Sequence, residues 1–294
     1  MKRLAVGTIL VCLCLTFAPT IATATTSPLS SKRVMIVVVA GQSNAEGYES
    51  YVAGTNIGSQ AADKTVQMAF LGDYATSHAT TPVSLDTPQV LAVNGRQIFG
   101  PEVGIARYLW EHGDRRIAIG KVVKGGSSLA SWRPGGTLLD ELTHLVAHLK
   151  AWEKGRGVTA TVGGIVWMQG ETDALSAAAA SKYKGALATF LPQLRSAVHA
   201  SARTPIVIAE TTTAPWVQFQ ASVAHGACKP ATCAELFAWN KLVRAAQRAA
   251  TKTVPRTFIV DSSTFPRASI QLHLSATGEL LLGSALGKSL ARHL

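Results

Sequence analysis

The chain has 294 residues, of which 47% are hydrophobic and 15% are charged, and its formal net charge is +11 at pH 7. A chain of this length can bury the core of one large α/β domain, and no shift in composition marks a second domain. The lysines and arginines are scattered and form no basic stripe interleaved with aromatic residues, which argues against a nucleic-acid-binding protein.

Residues 1–24 have the pattern of a secretory signal peptide. Lys2 and Arg3 precede an apolar run over residues 4–17, and the small residues at 22–24 form a cleavage site. The apolar run is too short to span a bilayer comfortably, so we expect no integral membrane span once the signal is removed. The sequence therefore predicts a secreted or periplasmic protein.

Four cysteines occur in the chain, and two of them lie in the predicted signal peptide. The other two, Cys228 and Cys233, lie close together in a polar loop. In an exported protein such a pair is more typical of a disulfide than of a metal site, so we predict a disulfide between them. Residues 25–33, rich in Ser and Thr, are predicted as a flexible lead into a single domain over residues 34–294.

The first predicted strand ends at a candidate nucleophile. Residues 34–39 are apolar without alternation, which is typical of a strand buried on both faces at the centre of a parallel sheet. Ligands of such sheets bind beyond the carboxyl ends of the strands, where Ser43 follows Gly41. If a helix begins there, the free N–H of Ser43 can stabilise an oxyanion. The same stretch also fits an ordinary turn with a helix N-cap.

Residues 66–71 are predicted as a second strand, with long loops around it that we expect to wall the crevice. A helix then opens at Pro101 and ends before Gly113. The next strand, over residues 117–123, leads to a glycine pair in which the N–H of Gly126 can be a second oxyanion donor. From this stretch alone, a tight turn with no catalytic role is the slightly better explanation of the pair.

A third polar strand end follows further along the chain. Residues 138–154 are predicted as a helix, and its histidines at 144 and 148 are read as solvent-facing because no further ligand completes a metal set. A buried strand over residues 162–168 then delivers Gln169, Glu171 and Asp173 to the same sheet edge. The coincidence of three polar strand ends favours a functional site there.

The rest of the chain continues the alternation of helices and strands. Helices are predicted over residues 174–200, with a break near residue 192, and 234–250, and strands over residues 205–209 and 256–260. His273 stands just before a closing helix that Ser275 can cap. This alternation predicts a doubly wound, mainly parallel sheet. A histidine on a late loop is well placed to activate a serine, and none of the other histidines considered follows a strand end, so His273 is the candidate base.

The polar strand ends carry a resemblance to a known family. The motifs are Gly41-Gln42-Ser43-Asn44, Gly125-Gly126-Ser127 followed by Trp132, Gln169-Gly170-Glu171-Thr172-Asp173, and His273-Leu274 with Gly278. In order and content they resemble the SGNH-hydrolase superfamily, and in detail its sialate O-acetylesterase branch, which is similar to the acetylxylan esterases of carbohydrate esterase family six. The resemblance covers nearly the whole chain after the signal peptide.

The resemblance implies a three-layer α/β/α sandwich, for which we expect a flavodoxin-like sheet of five strands. It also implies removal of acetyl groups from sugar hydroxyls, with no metal or other cofactor. Ser43 would be the nucleophile, His273 the base, and Gly126 and Gln169 would join the N–H of Ser43 as oxyanion donors. We further assign Gln42, Asn44 and Trp132 to substrate binding, with Trp132 and Trp216 as a stacking surface, although a tryptophan after a strand is more often core or rim packing.

One position departs from the family pattern. The family usually places an Asp three residues before the catalytic His, and Ile270 stands there in this chain. Loss of the acid that orients the imidazole costs ~10⁴ in rate in a well-studied triad. We predict that Glu171 substitutes for it, with Asp261 as the rival. Glu171 can equally be structural, tying loops through backbone N–H groups.

The predicted function is that of a secreted serine esterase that deacetylates a carbohydrate by a Ser–His–Glu mechanism. Two alternatives stay open. The replacement of the usual Asp by Ile270 allows a non-catalytic glycan-binding protein on the same fold, and the superfamily also contains lipase-like and acyl-transferring members.

Overall fold

Strands and helices alternate over most of the described chain, as the sequence predicts, except for four consecutive strands between residues 67 and 98. The structure, a computed structural model, describes residues 33–73, 78–91, 94–113, 116–212, 230–268 and 272–294. Its strands are β1 (Arg33–Gly41), β2 (Gln67–Leu71), β3 (Ala79–Ser84), β4 (Gln89–Val90), β5 (Gln97–Ile98), β6 (Ile117–Val123), β7 (Thr159–Met168), β8 (Ile206–Glu210) and β9 (Thr257–Asp261). Its helices are α1 (Ser43–Glu46), α2 (Ala61–Thr65), α3 (Glu102–His112), α4 (Thr137–Gly155), α5 (Ala177–Ala197), α6 (Pro230–Thr253) and α7 (Ala276–Ala291).

Seven strands form one sheet in the order β3-β2-β6-β1-β7-β8-β9, and β4 pairs with β5 in a small separate hairpin. The strand β1 lies between β6 and β7 and is parallel to both. Its residues from Ile36 to Ala40 have no exposed surface. The unbroken apolar run therefore lies at the centre of the sheet, and it brings its carboxyl end beside those of β6 and β7.

Helices cover both faces of this sheet and give three layers. On one face Ile36 and Val38 of β1 pack in a core built with α4, α5 and α6. On the other face Val37 and Val39 pack in a core built with α3 and α7. Alternate side chains of β1 thus pack into two different cores, which is why the strand has no polar face. The predicted three-layer α/β/α fold is confirmed.

The sheet is larger than the five strands expected. The strand β9 matches the last strand that the sequence indicates, and β3 adds an antiparallel edge where long loops were predicted. The run of β3 is polar and contains Pro82, which suits a sheet edge but gives little strand signal. The helix α5 also continues through Pro192, where a break was predicted.

Several predicted features lie outside the described residues. They are the signal peptide over residues 1–24, most of the lead over residues 25–33, Cys228, Trp216 and Ile270. The disulfide, the signal and the domain boundaries stay predictions. Within the described part of the chain, no helix is both long enough and apolar enough to cross a bilayer.

Candidate active site

The first helical turn after β1 holds Ser43 at the sheet edge. The strand ends at Gly41, where a Cβ would lie 2.0 Å from the carbonyl oxygen of Met168, so only glycine allows β7 to approach this closely. The N–H of Gln42 then donates to that same carbonyl at 3.0 Å. Ser43 is the first residue of α1, where backbone N–H groups lack partners within the helix. Its hydroxyl and its N–H thus lie at the same strand end.

His273 and Ser43 meet although 230 positions separate them. The Nε2 atom of His273 lies 3.0 Å from Oγ of Ser43. The Nδ1 atom on the other side of the ring lies 2.9 Å from Oε2 of Glu49. The side chains of His273 and Glu49 are only 7% and 15% exposed. Hydroxyl, imidazole and carboxylate therefore form one continuous and largely buried chain of hydrogen bonds.

The carboxylate in this chain comes from the loop that directly follows α1. Glu49 has a φ of 71°, a left-handed conformation that is uncommon for a residue other than glycine. Gly47, with a φ of 91°, makes the preceding turn, and a Cβ there would lie 1.8 Å from the Phe99 carbonyl oxygen. The backbone thus turns back within a few residues of the nucleophile. Such strained positions cluster at functional sites.

This geometry corrects the prediction that Glu171 orients the imidazole. Glu171 is buried and its Oε1 accepts a hydrogen bond from Nδ2 of Asn44 at 3.2 Å, not from His273. Burial raises the pKa of Glu171, against the opposing effects of its hydrogen bonds and of Arg267 and His273. The orienting acid of a triad accepts a hydrogen bond from the imidazole, and in this site Glu49 takes that position.

The rival acid, Asp261, makes no hydrogen bond to His273 among the described residues. It is an exposed residue at the end of β9, and its carboxylate accepts hydrogen bonds from the N–H of Ser263 and from Arg244. The prediction that Asp261 could substitute for the missing Asp is therefore not matched by the structure.

Asn44 is a structural residue rather than an open substrate ligand. Its Oδ1 accepts a hydrogen bond from the N–H of Leu274 at 3.0 Å, and its Nδ2 contacts the carbonyl of Leu272 at 3.5 Å as well as Glu171. Gln42 is also buried, and its Oε1 accepts from the N–H of Gly170 at 3.4 Å. The assignment of Asn44 to substrate binding is corrected, and Gln42 has one of its two polar atoms engaged by the protein.

The glycine turn after β6 supplies a second free N–H. Gly126 has a φ of 64° and is exposed, and among the described residues its N–H donates to no acceptor. The turn is fixed to β1 because the N–H of Lys124 donates to the carbonyl of Gly41 at 3.0 Å. The N–H of Ser43 and the N–H of Gly126 are therefore presented from neighbouring strand ends, as expected of an oxyanion site.

Gln169 does not take the third donor role that we predicted. Its Nε2 donates to the carbonyl of Ser127 at 3.0 Å and to Oδ2 of Asp173 at 2.6 Å, and its Oε1 accepts from the hydroxyl of Tyr183. Both amide hydrogens are engaged, so neither can reach an oxyanion. Asp173 also accepts from the N–H of Leu129, and burial raises the pKa of Asp173. Gln169 and Asp173 thus hold the glycine turn in place.

Trp132 lies inside the protein and offers no surface to a sugar. The side chain has no exposed area, packs edge-on against Trp167 at 5.2 Å between ring centroids, and donates from Nε1 to Oγ of Ser127 at 3.1 Å. The prediction of a stacking surface is wrong. The alternative reading, core packing, describes this residue.

A buried charged group supports the nucleophile segment from behind. The Nζ of Lys121, on β6, donates to the carbonyl of Glu46 at 3.0 Å and to Oε2 of Glu102 at 2.8 Å.

Glu279, in the first turn of α7, is wholly buried, and burial raises its pKa well above the usual range. Glu102 raises it further, while Lys121 and Arg267 oppose the shift.

A polar cleft opens beside the glycine turn. It has a volume of about 700 Å³ and is lined at the carboxyl ends of β2 and β6 by residues that include Asp73, His78, Lys124, Arg133 and Glu141. Ser43 and His273 do not line it. Lys124 lies two residues from Gly126, so the cleft begins next to the free N–H of Gly126.

Sequence reasoning missed Glu49. The usual Asp position holds Ile270, and the search for a substitute favoured carboxylates after strands, whereas Glu49 lies in a loop. The only local signal was a carboxylate that follows a glycine close to the nucleophile, and such spacing is common in turns.

Residues 33–292 of the chain match one family model, which is described as carbohydrate esterase, sialic acid-specific acetylesterase. No curated protein sequence matches the chain significantly.

Solved structures of similar fold include three with low sequence identity. An Arabidopsis thaliana protein is 16% identical with a TM-score of 0.61, covering 87% of this chain and 97% of that one. NanS is 14% identical with a TM-score of 0.60, covering 89% and 97%. A carbohydrate acetylesterase from Xanthomonas citri is 18% identical with a TM-score of 0.57, covering 88% of this chain and 56% of its own. At these identities the likeness supports the fold.

Proposed function

The chain belongs to the sialic acid-specific acetylesterase family of carbohydrate esterases, and from this premise we propose that it removes O-acetyl groups from a sugar through Ser43, His273 and Glu49. The observation that carries the proposal is the chain of two hydrogen bonds, 3.0 Å and 2.9 Å long, that joins these three side chains. A nucleophile, a base and an orienting acid in this order constitute the machinery of acyl transfer.

The first half of the reaction transfers the acetyl group to the protein. Oγ of Ser43 attacks the carbonyl carbon of the acetyl ester while Nε2 of His273 accepts its proton. The carbonyl oxygen becomes negatively charged and accepts hydrogen bonds from the N–H groups of Ser43 and Gly126. When the intermediate collapses, the bond to the sugar oxygen breaks, and His273 returns the proton to that oxygen. The sugar leaves with a free hydroxyl.

The second half releases acetate. A water molecule loses a proton to His273 as its oxygen attacks the acetyl-serine carbonyl, and Ser43 regains a proton as acetate departs. Throughout, Glu49 accepts the hydrogen bond from Nδ1–H of His273. This fixes the tautomer that leaves Nε2 free to accept a proton, and it stabilises the imidazolium that forms.

The cleft next to Gly126 supports a hydrophilic leaving group. Its described lining contains acidic residues such as Asp73 and Glu141 and basic residues such as Lys124 and Arg133. Side chains of both signs suit the hydroxyls of a sugar better than they suit a long acyl chain. The cleft therefore favours a carbohydrate ester over a lipid ester.

Non-catalytic glycan binding is the weaker candidate. It was motivated by Ile270, which removes the usual acid from the histidine loop. Glu49 supplies a carboxylate at Nδ1 of His273 from another loop, so the departure at Ile270 no longer argues against catalysis.

The test of the proposed function is hydrolysis by the purified chain of p-nitrophenyl acetate and of a panel of O-acetylated sugars, including an O-acetylated sialic acid and acetylated xylan. We expect acetate release, with activity falling steeply from acetyl to longer acyl esters. Ser43→Ala should reduce kcat by about 10⁴–10⁶-fold while the protein stays folded. Activity that survives this substitution would remove the assignment, and glycan binding without any hydrolysis would favour the non-catalytic alternative.

We also propose that the protein is secreted or periplasmic. The Lys2-Arg3 start, the apolar run and the small residues before position 25 support export of the chain with cleavage after about two dozen residues. The mass of the protein isolated from its host checks this. Thiol titration of the mature protein with and without reductant checks the disulfide between Cys228 and Cys233.

A further inference from the structure

The backbone on both sides of His273 is held by one side chain. Asn44 accepts from the N–H of Leu274 at 3.0 Å and contacts the carbonyl of Leu272 at 3.5 Å. It therefore hydrogen-bonds the backbone of the residue before the histidine and of the residue after it. Asn44 also directly follows Ser43, so the same piece of backbone carries the hydroxyl and the amide that holds the base.

Glu171 orients this amide. Its Oε1 accepts the second hydrogen bond of the Asn44 Nδ2 group at 3.2 Å, which fixes which end of the amide faces Leu274 and which faces Leu272. The side chain lies at the end of β7 and is buried, and its Oε2 has no hydrogen-bond partner among the described residues. Because Glu171 hydrogen-bonds the amide of Asn44 and not the imidazole of His273, it supports the site without contacting the base.

We propose that Asn44 and Glu171 act as a pair of positioning residues, which hold the His273 loop at the distance from Ser43 that proton transfer requires. This inference rests on the proposed function for its catalytic readout. The pair links three segments of the chain: the turn after β1, the turn after β7 and the loop before α7. Neither residue touches the reacting atoms, so both act through His273.

The physical reason is the steep dependence of proton transfer on geometry. A displacement of about 1 Å in a catalytic group can cost ~10²-fold in rate. The histidine loop has its own supports, since Arg267 donates to the carbonyl of Leu272 at 3.2 Å and the N–H of Ala268 donates to the carbonyl of His273 at 2.9 Å. Those contacts tie the loop to its own neighbours, whereas Asn44 ties it to the segment of the nucleophile.

The geometric role of Glu171 makes a sharp prediction possible, because Glu171 only has to offer an acceptor oxygen to Nδ2 of Asn44. A glutamine side chain has nearly the same shape as a glutamate side chain and keeps such an oxygen. Glu171→Gln should therefore restore most of what Glu171→Ala loses. If Glu171 acted as an ionised group, glutamine would be as harmful as alanine.

The experiment measures kcat and KM for p-nitrophenyl acetate and the rate at which a serine-directed phosphonate labels Ser43. We expect Glu171→Ala to lower kcat and the labelling rate about 10–100-fold with KM nearly unchanged, and Glu171→Gln to recover most of both. Asn44→Asp keeps the acceptor for Leu274 but loses both donated contacts, so it should behave like Glu171→Ala. The double variant should be no worse than the worse single variant, because the two residues act as one unit.

Two results would overturn the inference. A loss of kcat in Glu171→Gln as large as in Glu171→Ala, with a changed pH profile, would make the charge of Glu171 part of catalysis. A loss of thermal stability alone in Glu171→Ala and Asn44→Asp, with kcat unchanged, would make the pair purely structural.

A separate measurement keeps this failure distinct from failure of the proposed function. Hydrogen exchange of the backbone N–H of Leu274 reports its hydrogen bond to Asn44 and needs no substrate. We expect protection in the wild type and in Asn44→Asp, and faster exchange in Asn44→Ala. Unchanged exchange in Asn44→Ala would contradict the positioning role of Asn44, even if the wild type hydrolyses every ester tested. An inactive wild type that shows the expected exchange would contradict only the esterase proposal.

Discussion

The carboxyl ends of β1 and β7 lie side by side in the sheet, and both carry conspicuous polar motifs, but the structure uses them differently. After β1, Ser43 and Glu49 direct their side chains to His273. After β7, Gln169 and Glu171 are engaged by other protein groups. A polar strand end is therefore reactive only where its side-chain atoms are not engaged by other protein groups and stay available to one another and to a substrate.

Replacement of Glu49 should have a stronger effect than any other substitution outside the nucleophile and the base. Glu49→Gln should lower kcat for p-nitrophenyl acetate by about 10³–10⁴-fold, because an amide at this position no longer fixes the tautomer of His273 or stabilises its charge. Steady-state kinetics measure this. Asp261→Asn, which alters the rejected rival acid, is the matched control and should leave kcat within a few-fold. Comparable losses in the two variants would mean that the acid is not specific to the β1 end.

The next effect probes the scaffold at the β7 end. Asp173→Ala should lower kcat about 10–100-fold and lower the melting temperature, because Gln169 and the N–H of Leu129 lose their shared acceptor and the Gly126 turn loosens. Asp173→Asn keeps an acceptor oxygen and should recover most of the loss. If neither variant changes kcat, the glycine turn holds its position without the β7 motif.

A third prediction concerns stability and pH. Burial and Glu102 raise the pKa of Glu279 well above 4.5, so the folded state keeps its proton where the unfolded chain has released it. The stability that this proton contributes is complete below pH 4.5 and is lost as pH rises towards the folded-state pKa. Glu279→Gln should therefore melt at a higher temperature than the wild type at pH 8.

The difference in melting temperature for Glu279→Gln should shrink to nothing below pH 4.5. Thermal denaturation from pH 4 to pH 8 checks both limits, with Glu235→Gln on the exposed surface of α6 as the control that should show no such trend. An advantage of equal size at every pH would point to packing and not to ionisation.

The smallest effect is expected at Trp132. Because the ring is buried and donates only to Ser127, Trp132→Phe should leave KM for acetylated sugars unchanged and lower the free energy of unfolding by about 1–3 kcal/mol. Denaturant titration and sugar kinetics measure the two quantities. A several-fold rise in KM with unchanged stability would revive the stacking surface that the structure removes.

The sequence was most informative where periodicity and composition were strong. The buried run of β1, the start of α3 at Pro101 and the cap of α7 at Ser275 could all be predicted, because each is a local pattern with a direct physical cause. The edge strand β3 could not, since its polar run acquires strand structure only by pairing with β2.

The site could be predicted only in part. Ser43 and His273 were identified as partners from their positions at strand and helix ends, and the structure brings them within hydrogen-bond distance. The choice between Glu49 and Glu171 depends on how the loop after α1 folds back, with a left-handed residue at Glu49, and no spacing rule encodes that. The same holds for Gln169, whose amide is engaged by Ser127 and Asp173 from other segments.

The most direct test of the central claim, that the acid supporting the base comes from the β1 segment, is the proton NMR resonance of the Nδ1–H of His273. The wild type should show a downfield, exchange-protected signal, because that proton is held against Glu49 in a largely buried site. The signal should vanish or move upfield in Glu49→Gln and persist in Glu171→Gln. A signal that survives Glu49→Gln and disappears in Glu171→Gln would contradict the account.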